Sequence, residues 1–255
     1  MENEVALART DNGSTVFDLM QSSVVKKHFA ESTGKNLAAF TSAVTEIVNG
    51  NNLLKRCEPN SILSAVIFAA TLNLQINPAI GEAYIVPFKG KATFQVGYHG
   101  FIQLALRSGL YKNLYAGEIH EGEIRGLHPL TGEPIIGEKI SDEVVGYVAH
   151  LELTNGFTKT IYMTKEEMEE HAQKYVPSYI YDLRNGTKNS VWSINFDKMA
   201  VKTVLKKLLK NWGVKSVEMQ QALQFDSKVV AENEIADNKN IREEINVTPN
   251  DDDFS

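Results

Sequence analysis

The sequence predicts an α+β fold from three observations. Apolar residues recur every three or four positions from Val16 to about Asn49, which is the period of a helix. Residues 82–88 and 92–97 alternate apolar and polar side chains, as half-buried strands do. Two later alternating runs flank Asn155-Gly156, a pair typical of a two-residue hairpin turn in which both residues have positive φ.

The region between the first helix and this turn is predicted to mix helices and strands. Asn60 or Ser61, just after Pro59, is the predicted N-cap of a helix that ends near Leu72. Beyond the first hairpin, the expected elements are a helix at 101–108, a strand at 110–119, a Gly/Pro-rich loop at 121–137, and strands at 143–154 and 157–163.

The last part is predicted to be mainly helical. Thr164 and Glu167 form a capping-box pattern that opens a helix to about Tyr175, and Pro177 is expected to end it. A loop at 178–190 precedes a long helix at 194–212 and a short one at 217–224.

Composition divides the chain into three predicted parts. Residues 1–14 are polar and aperiodic, which favours disorder, and residues 15–224 form the globular domain. Residues 225–255 carry nine acidic and three basic residues with few large apolar ones, which predicts a mobile acidic tail.

The apolar segments are too short for a membrane protein. None approaches the roughly 20 consecutive apolar residues of a spanning helix, and residues 1–14 lack the pattern of a secretion signal. The single Cys57 fits a reducing compartment, so we expect a cytoplasmic protein.

Charge is strongly segregated, although the net charge is only -6. Residues 26–112 hold nine basic and four acidic residues, residues 113–182 hold five and thirteen, and residues 184–215 hold eight and one. Because local potential steers a polyanion, the two basic blocks are the first indication of function.

The second basic block contains a helix with an unusual face. Its apolar residues follow helical spacing, while Lys198, Lys202, Lys206 and Lys210 form an i, i+4 row with Lys207 beside it. Asp197 is the only acid there, so we expect phosphates to neutralise the row. An ordinary solvated amphipathic face is the alternative.

The first hairpin, in GEAYIVPFKGKATFQVGYHG, carries Lys89 and Lys91 at its turn. Gly97 and Gly100 flank Tyr98 at the far end, where they permit a close backbone approach and an aromatic ring can stack on a base. The alternatives are that the lysines protect a strand edge and that Tyr98 belongs to the core.

The sequence lacks the motifs of the common enzyme classes. A P-loop ending at Gly90-Lys91 fails because position 85 is Ile85 and position 92 is Ala92. The six histidines have no metal-ligand spacing, and there is no nucleophile elbow. We therefore expect no catalytic residues and no metal site.

Two blocks resemble a known family. SILSAVIFAATLNLQINPAIGEAYIVPFKGKATFQVGYHGFIQLALRSG with LYAGEIHEGE, and VWSINFDKMAVKTVLKKLLKNWGVKS, are similar to the RecT family of phage and prophage single-strand annealing proteins, of the type found in Gram-positive bacteria. Two positions depart from the pattern, because His99 and Val201 stand where many members have lysine.

The resemblance implies a function and an architecture. It implies ATP-independent annealing of single-stranded DNA during homologous recombination, by a protein that forms rings or helical filaments in the cytoplasm of a bacterial host. It implies partnership with a 5′-to-3′ exonuclease and the host single-strand binding protein. It also implies a β-β-β-α core akin to lambda Red beta and the eukaryotic annealing ring proteins. No cofactor is expected, and Mg²⁺ is a candidate modulator of DNA binding.

The resulting hypothesis is a DNA groove within residues 15–224, which would anneal DNA and form the oligomer. Its hairpin side would hold Lys89, Lys91, Arg107 and Lys112, with Gln95 and Tyr98 touching sugar or base. Its helix side would hold Lys198, Lys202, Lys206, Lys207 and Lys210. Weaker candidates are Arg125, Lys188, Trp192 and Phe196.

Other interpretations remain open. The main alternative is a module that coats or shapes DNA without annealing it, and the more distant ones are a sequence-specific DNA-binding module and a nuclease. A recognition helix would need Asn, Gln and Arg rather than lysines, and a nuclease would need converging carboxylates. The acidic tail is either solubilising or a partner-docking segment that competes with DNA.

Overall fold

The computed structural model describes residues 37–226, with side chains from residue 41 onward, and confirms the α+β class. The predicted N-terminal disorder, the first part of the first helix and nearly all of the acidic tail lie outside these residues. The helices are α1 (Leu37–Gly50), α2 (Pro59–Thr71), α3 (Tyr98–Arg107), α4 (Lys165–Tyr175), α5 (Pro177–Asn185), α6 (Val191–Ile194), α7 (Phe196–Trp212) and α8 (217–226). The strands are β1 (Ala83–Phe88), β2 (Lys91–Val96), β3 (Tyr111–His120), β4 (Ile124–Leu127), β5 (Pro134–Ile136), β6 (Val144–Leu153) and β7 (Thr158–Thr164).

The strands form three antiparallel sheets. Strands β1 and β2 make one hairpin, β4 and β5 make another, and the third sheet has the order β3-β6-β7. In that sheet Ala149 of β6 faces Ala116 of β3 and Ile161 of β7. The likeness to lambda Red beta stays a prediction.

The core lies where helices cover one face of each larger sheet. Tyr147, Ala149 and Leu151 alternate along β6 and are buried against α7. The inner face of the β1–β2 hairpin packs on α2 in the same way, and both parts belong to one continuous cluster of buried residues. No helix that the structure describes has the length and apolarity needed to cross a membrane.

The first hairpin turn agrees with expectation and the second does not. Lys89 and Gly90 form a two-residue loop in which both residues have positive φ, as in a type I′ turn. At the second hairpin only Gly156 has positive φ, and Leu153 accepts a hydrogen bond from Gly156 N at 2.9 Å. The predicted type I′ turn at Asn155-Gly156 is therefore wrong, because the loop contains three residues with the glycine last.

Two segments that were predicted to be loops contain regular secondary structure. The loop at 121–137 contains strands β4 and β5. The loop at 178–190 contains most of α5, which begins at Pro177. Proline is favourable in the first turn of a helix because its missing N–H would have no partner there.

Three predicted helix starts also move. Helix α3 begins at Tyr98 rather than Phe101, and α2 begins at Pro59. The long helix is interrupted at Asn195, whose φ of -131° and ψ of 53° are not helical, so α7 begins at Phe196. The capping box of α4 is confirmed, with Glu167 N donating to Thr164 Oγ1 at 3.1 Å.

Candidate nucleic-acid interface

Helix α7 is held to the sheet by its apolar face and turns lysines outward. Val204, Leu205 and Leu208 are buried, whereas Lys198, Lys207 and Lys210 are exposed. Among the described residues, no carboxylate lies within ion-pairing distance of these three lysines.

The one acid of α7 is already occupied. The Asp197 carboxylate accepts a hydrogen bond of 2.6 Å from the hydroxyl of Tyr147, which is fully buried. Burial raises the pKa of Tyr147, and the hydrogen bond and charge of Asp197 raise it further. Asp197 therefore ties α7 to β6 and does not neutralise the lysines.

Two lysines of the predicted row are partly covered by α8. Lys206 forms an ion pair with Asp226, and burial lowers the pKa of Lys202 although the Asp226 charge opposes that shift. The neighbouring Phe225 packs on Phe68 of α2, with 4.1 Å between ring centroids. Lys202 and Lys206 thus face α8, while Lys198 and Lys210 face solvent.

The hairpin turn is anchored, and its lysines stay exposed. The Gly90 carbonyl accepts from Glu58 N at 2.9 Å, and Ala92 N donates to Ser61 Oγ at 2.8 Å. These bonds dock the hairpin turn on the first turn of α2. The predicted N-cap at Asn60 or Ser61 is wrong, because α2 begins at Pro59 and its N-cap is Glu58. Lys89 and Lys91 project from this fixed turn.

Tyr98 belongs to the first turn of α3 and packs against the core. Its hydroxyl lies 3.4 Å from the Ala116 carbonyl oxygen, and burial raises its pKa. A Cβ at Gly97 would lie 1.9 Å from the Gly81 oxygen, and one at Gly100 would lie 2.1 Å from the Glu82 oxygen. The backbone that these glycines admit is therefore the chain's own.

Arg107 and Lys112, two hairpin-side candidates, already have protein partners. Arg107 donates to the carbonyl oxygens of Leu72 and Asn73 at 2.8 and 2.7 Å, which caps the end of α2. Lys112 forms an ion pair of 2.6 Å with Glu152, whose position in β6 places it on the sheet face opposite α7.

The weaker candidates lie in two separate places. Arg125 is exposed on β4. Trp192 is buried and forms an aromatic cluster with Phe196 and Tyr179, with ring centroids 5.6 and 6.4 Å away. Lys188 is exposed in the loop before α6.

Asp182 organises that loop. Its buried carboxylate accepts hydrogen bonds from Thr187 Oγ1, Ser190 N and Ser193 Oγ at 2.5, 2.7 and 2.6 Å. The side-chain bonds from Ser193 and Thr187 contribute most to holding the pKa of Asp182 well below its usual value.

Sequence reasoning missed two aromatic residues. Tyr84 pairs with Gln95 and Phe88 pairs with Lys91, so both rings lie on the outer face of the β1–β2 hairpin. The alternation that predicted β1 contained this signal, because positions 84, 86 and 88 share one face. No group of three His, Cys, Asp or Glu side chains suited to a metal ion occurs within residues 37–226.

Fold and surface together define an α+β protein whose exposed lysines suit a polyanion. The chain belongs to the RecT family, which it matches over residues 38–248. It is 44% identical over 213 residues to the uncharacterized Bacillus subtilis (strain 168) protein YqaK, a match that covers 83% of this chain and 72% of YqaK. It is 31% identical over 186 residues to Escherichia coli (strain K12) protein RecT, covering 69% of this chain and 65% of that protein.

Proposed function

We propose that this protein binds single-stranded DNA and anneals it to a complementary strand in recombination, without hydrolysing nucleotide. The observation that carries the proposal is that three lysines of α7, Lys198, Lys207 and Lys210, are exposed and have no carboxylate within ion-pairing distance among the described residues. Cations placed so can neutralise phosphates and release counterions. RecT family membership supports this assignment.

In this proposal two elements, the β1–β2 hairpin turn and α7, supply the phosphate contacts. Lys89 and Lys91 on the anchored turn and the exposed lysines of α7 bind phosphates, so the bases stay available for pairing. Lys202 and Lys206 remain proposed contacts, but DNA would compete there with Asp226.

The cellular setting is part of the proposal. The protein assembles into rings or filaments in a bacterial cytoplasm, where a 5′-to-3′ exonuclease supplies the single strand and the host single-strand binding protein is displaced. It needs no cofactor, and Mg²⁺ modulates DNA affinity by screening phosphates. Residues 15–226 carry annealing and assembly, because Phe225 and Asp226 pack on the domain instead of belonging to the predicted tail, and residues 227–255 dock a partner.

The proposal is tested by annealing two complementary, dye-labelled oligonucleotides without ATP across a salt series. Lys198→Ala, Lys207→Ala and Lys210→Ala should each slow annealing and reduce the slope of log affinity against log salt by about 0.7 per lost phosphate contact. Lys174→Ala, a change at an exposed lysine on α4, is the matched control and should behave as wild type.

These variants are better tests than Lys206→Ala, because removing Lys206 also breaks the ion pair to Asp226 and so changes stability. If the protein binds the strands but they never pair faster than they do alone, the annealing assignment is wrong. The alternative, a module that only coats DNA, would then hold.

A further inference from the structure

The outer face of the β1–β2 hairpin is built differently from its inner face. Three cross-strand pairs lie on the outer face: Tyr84 with Gln95, Val86 with Thr93, and Phe88 with Lys91. Ile85 and Phe94, which form an inner pair, are buried in the core.

Nothing among the described residues covers the outer face as α2 covers the inner one. Tyr84, Val86 and Phe88 are half-buried, yet none belongs to the hydrophobic core or to the apolar residues that pack on it. The Tyr84 side chain lies beside Gly81 and Gly97, and the His99 ring also lies next to Gly81. Each ring therefore keeps part of its surface exposed to solvent.

Two lysines lie close to the Phe88 ring. The Lys89 ammonium lies 5.3 Å from the centroid of the Phe88 ring, and Lys91 lies directly across the hairpin from Phe88. Glu82 is the only acid in residues 81–97, and its buried carboxylate accepts from Gln75 N at 2.9 Å. The turn end of this face therefore carries positive charge beside Phe88.

An aromatic row with adjoining lysines on an open antiparallel hairpin matches single-stranded nucleic acid. Every base has a flat face that can stack on a ring regardless of sequence, and lysines can hold the phosphates beside it. Protein interfaces are depleted in lysine, whereas Lys89 and Lys91 flank Phe88 on this hairpin.

We propose that Tyr84 and Phe88 form a base-stacking platform, with Lys89 and Lys91 holding the neighbouring phosphates. Four residues of strand place the two rings about 13 Å apart, so they contact bases that are not stacked on each other. The platform holds an extended strand with its bases separated before pairing. This inference rests on the proposed binding of single-stranded DNA.

The test measures affinity for a single-stranded oligonucleotide by fluorescence anisotropy across a salt series. Tyr84→Leu and Phe88→Leu should each weaken binding about five- to 150-fold without changing the salt slope. Lys89→Ala and Lys91→Ala should instead reduce the slope by about 0.7 each. Tyr175→Leu is the matched control. Tyr175 is an exposed tyrosine outside the hairpin and also has a lysine over its ring, so this variant should bind as wild type does.

An oligonucleotide of the same length with abasic sites separates stacking from charge. Wild type and the two leucine variants should bind it equally, because it offers phosphates but no bases to stack. Tyr84→Phe and Phe88→Tyr each keep an aromatic ring at the position, so both should bind the ordinary strand as tightly as wild type does. Crosslinking of a halogenated-pyrimidine strand to wild-type protein should map to Tyr84 or Phe88, which tests the platform even where a leucine variant unfolds.

The outcomes distinguish this inference from the proposed function. If wild-type protein does not bind single strands, the proposed function fails. If wild type binds and the leucine variants bind equally well, only the platform is wrong. If those variants lose assembly but keep DNA affinity, the face is a subunit contact and the platform is again wrong.

Discussion

A single buried carboxylate, that of Asp182, helps to position two predicted DNA contacts. Asp182 lies in the last turn of α5, and its hydrogen bonds fix the loop that carries Lys188 and leads to Trp192. The loop contains few apolar residues of its own, so these hydrogen bonds define its shape. We infer that Asp182 positions this segment without touching DNA.

Asp182→Asn should lower the midpoint of thermal unfolding at pH 7 by several degrees, since the amide presents hydrogens to groups that need an acceptor. Because the folded pKa lies below the ordinary 3.8, the carboxylate stabilises the fold above about pH 4, and this contribution is lost as pH falls through the lower folded value. The gap between variant and wild type should therefore narrow below pH 4. A gap unchanged from pH 7 to pH 3, or an equal loss in the exposed control Asp142→Asn, would contradict the assignment.

At the scale of elements, the hairpin, α2 and α3 form one unit because glycine allows backbones to meet. Gly97 follows β2 and lies next to the Gly81 carbonyl, and its N–H donates to the Glu82 oxygen at 2.7 Å. This contact sets the angle between β2 and α3. It therefore also sets where Tyr98 and His99 lie.

Gly97→Ala should lower the free energy of unfolding by about 1–3 kcal/mol, because its Cβ would overlap backbone atoms that cannot move alone. Gly50→Ala is the control, since a Cβ there meets nothing within 4 Å, and it should be neutral or stabilising by up to about 1 kcal/mol. Urea unfolding measures both. Equal effects would show that the close approach relaxes without cost.

Local sequence patterns predicted elements better than they predicted partners. The capping box of α4 and the alternation of β1 and β2 depend on neighbouring residues, so they were visible in sequence. Arg107 looked available for phosphate, but its partners are carbonyls more than 30 positions earlier. Lys206 also looked available, but folding brings the distant Asp226 into an ion pair with it. A charge pattern identifies cations without telling which ones the protein already uses.

At the scale of the whole molecule, residues 121–143 form an arm with an unusual surface. Leu130, Ile136 and Ile140 are 91, 74 and 76% exposed. The arm also carries the exposed acids Glu133 and Glu138. Exposed aliphatic residues in this number mark a contact surface, and the acids favour a basic partner.

A second set of exposed apolar residues, with basic neighbours, lies on α5 and α6. Leu183, Val191 and Ile194 are exposed there beside Arg184 and Lys188. Because the arm and this patch are different surfaces, contact between copies would be heterologous, which generates a ring or an open filament rather than a closed dimer. We therefore predict that the acidic arm of one copy meets the basic patch of the next.

Charge reversal at Glu121 and Glu123 would test this poorly, because both carboxylates hold the base of the arm. Glu123 accepts from His120 N at 2.7 Å, and Glu121 accepts from Ser141 Oγ at 2.8 Å. Leu130→Asp with Ile136→Asp changes only the exposed surface. We expect this double variant to be monomeric by light scattering while keeping its circular dichroism, because the substitution places charge in the apolar contact.

The geometry makes a sharper prediction for mixtures. Ile194→Asp should also be monomeric, because it damages the opposite patch, whereas Val217→Asp on α8 should assemble normally. An arm variant still has an intact patch, and a patch variant still has an intact arm. Mixed in equal amounts, the two should form dimers and nothing larger, since only one of the two possible contacts survives in each pair. Full-size assemblies from the mixture, or from either variant alone, would show that these surfaces do not join the subunits.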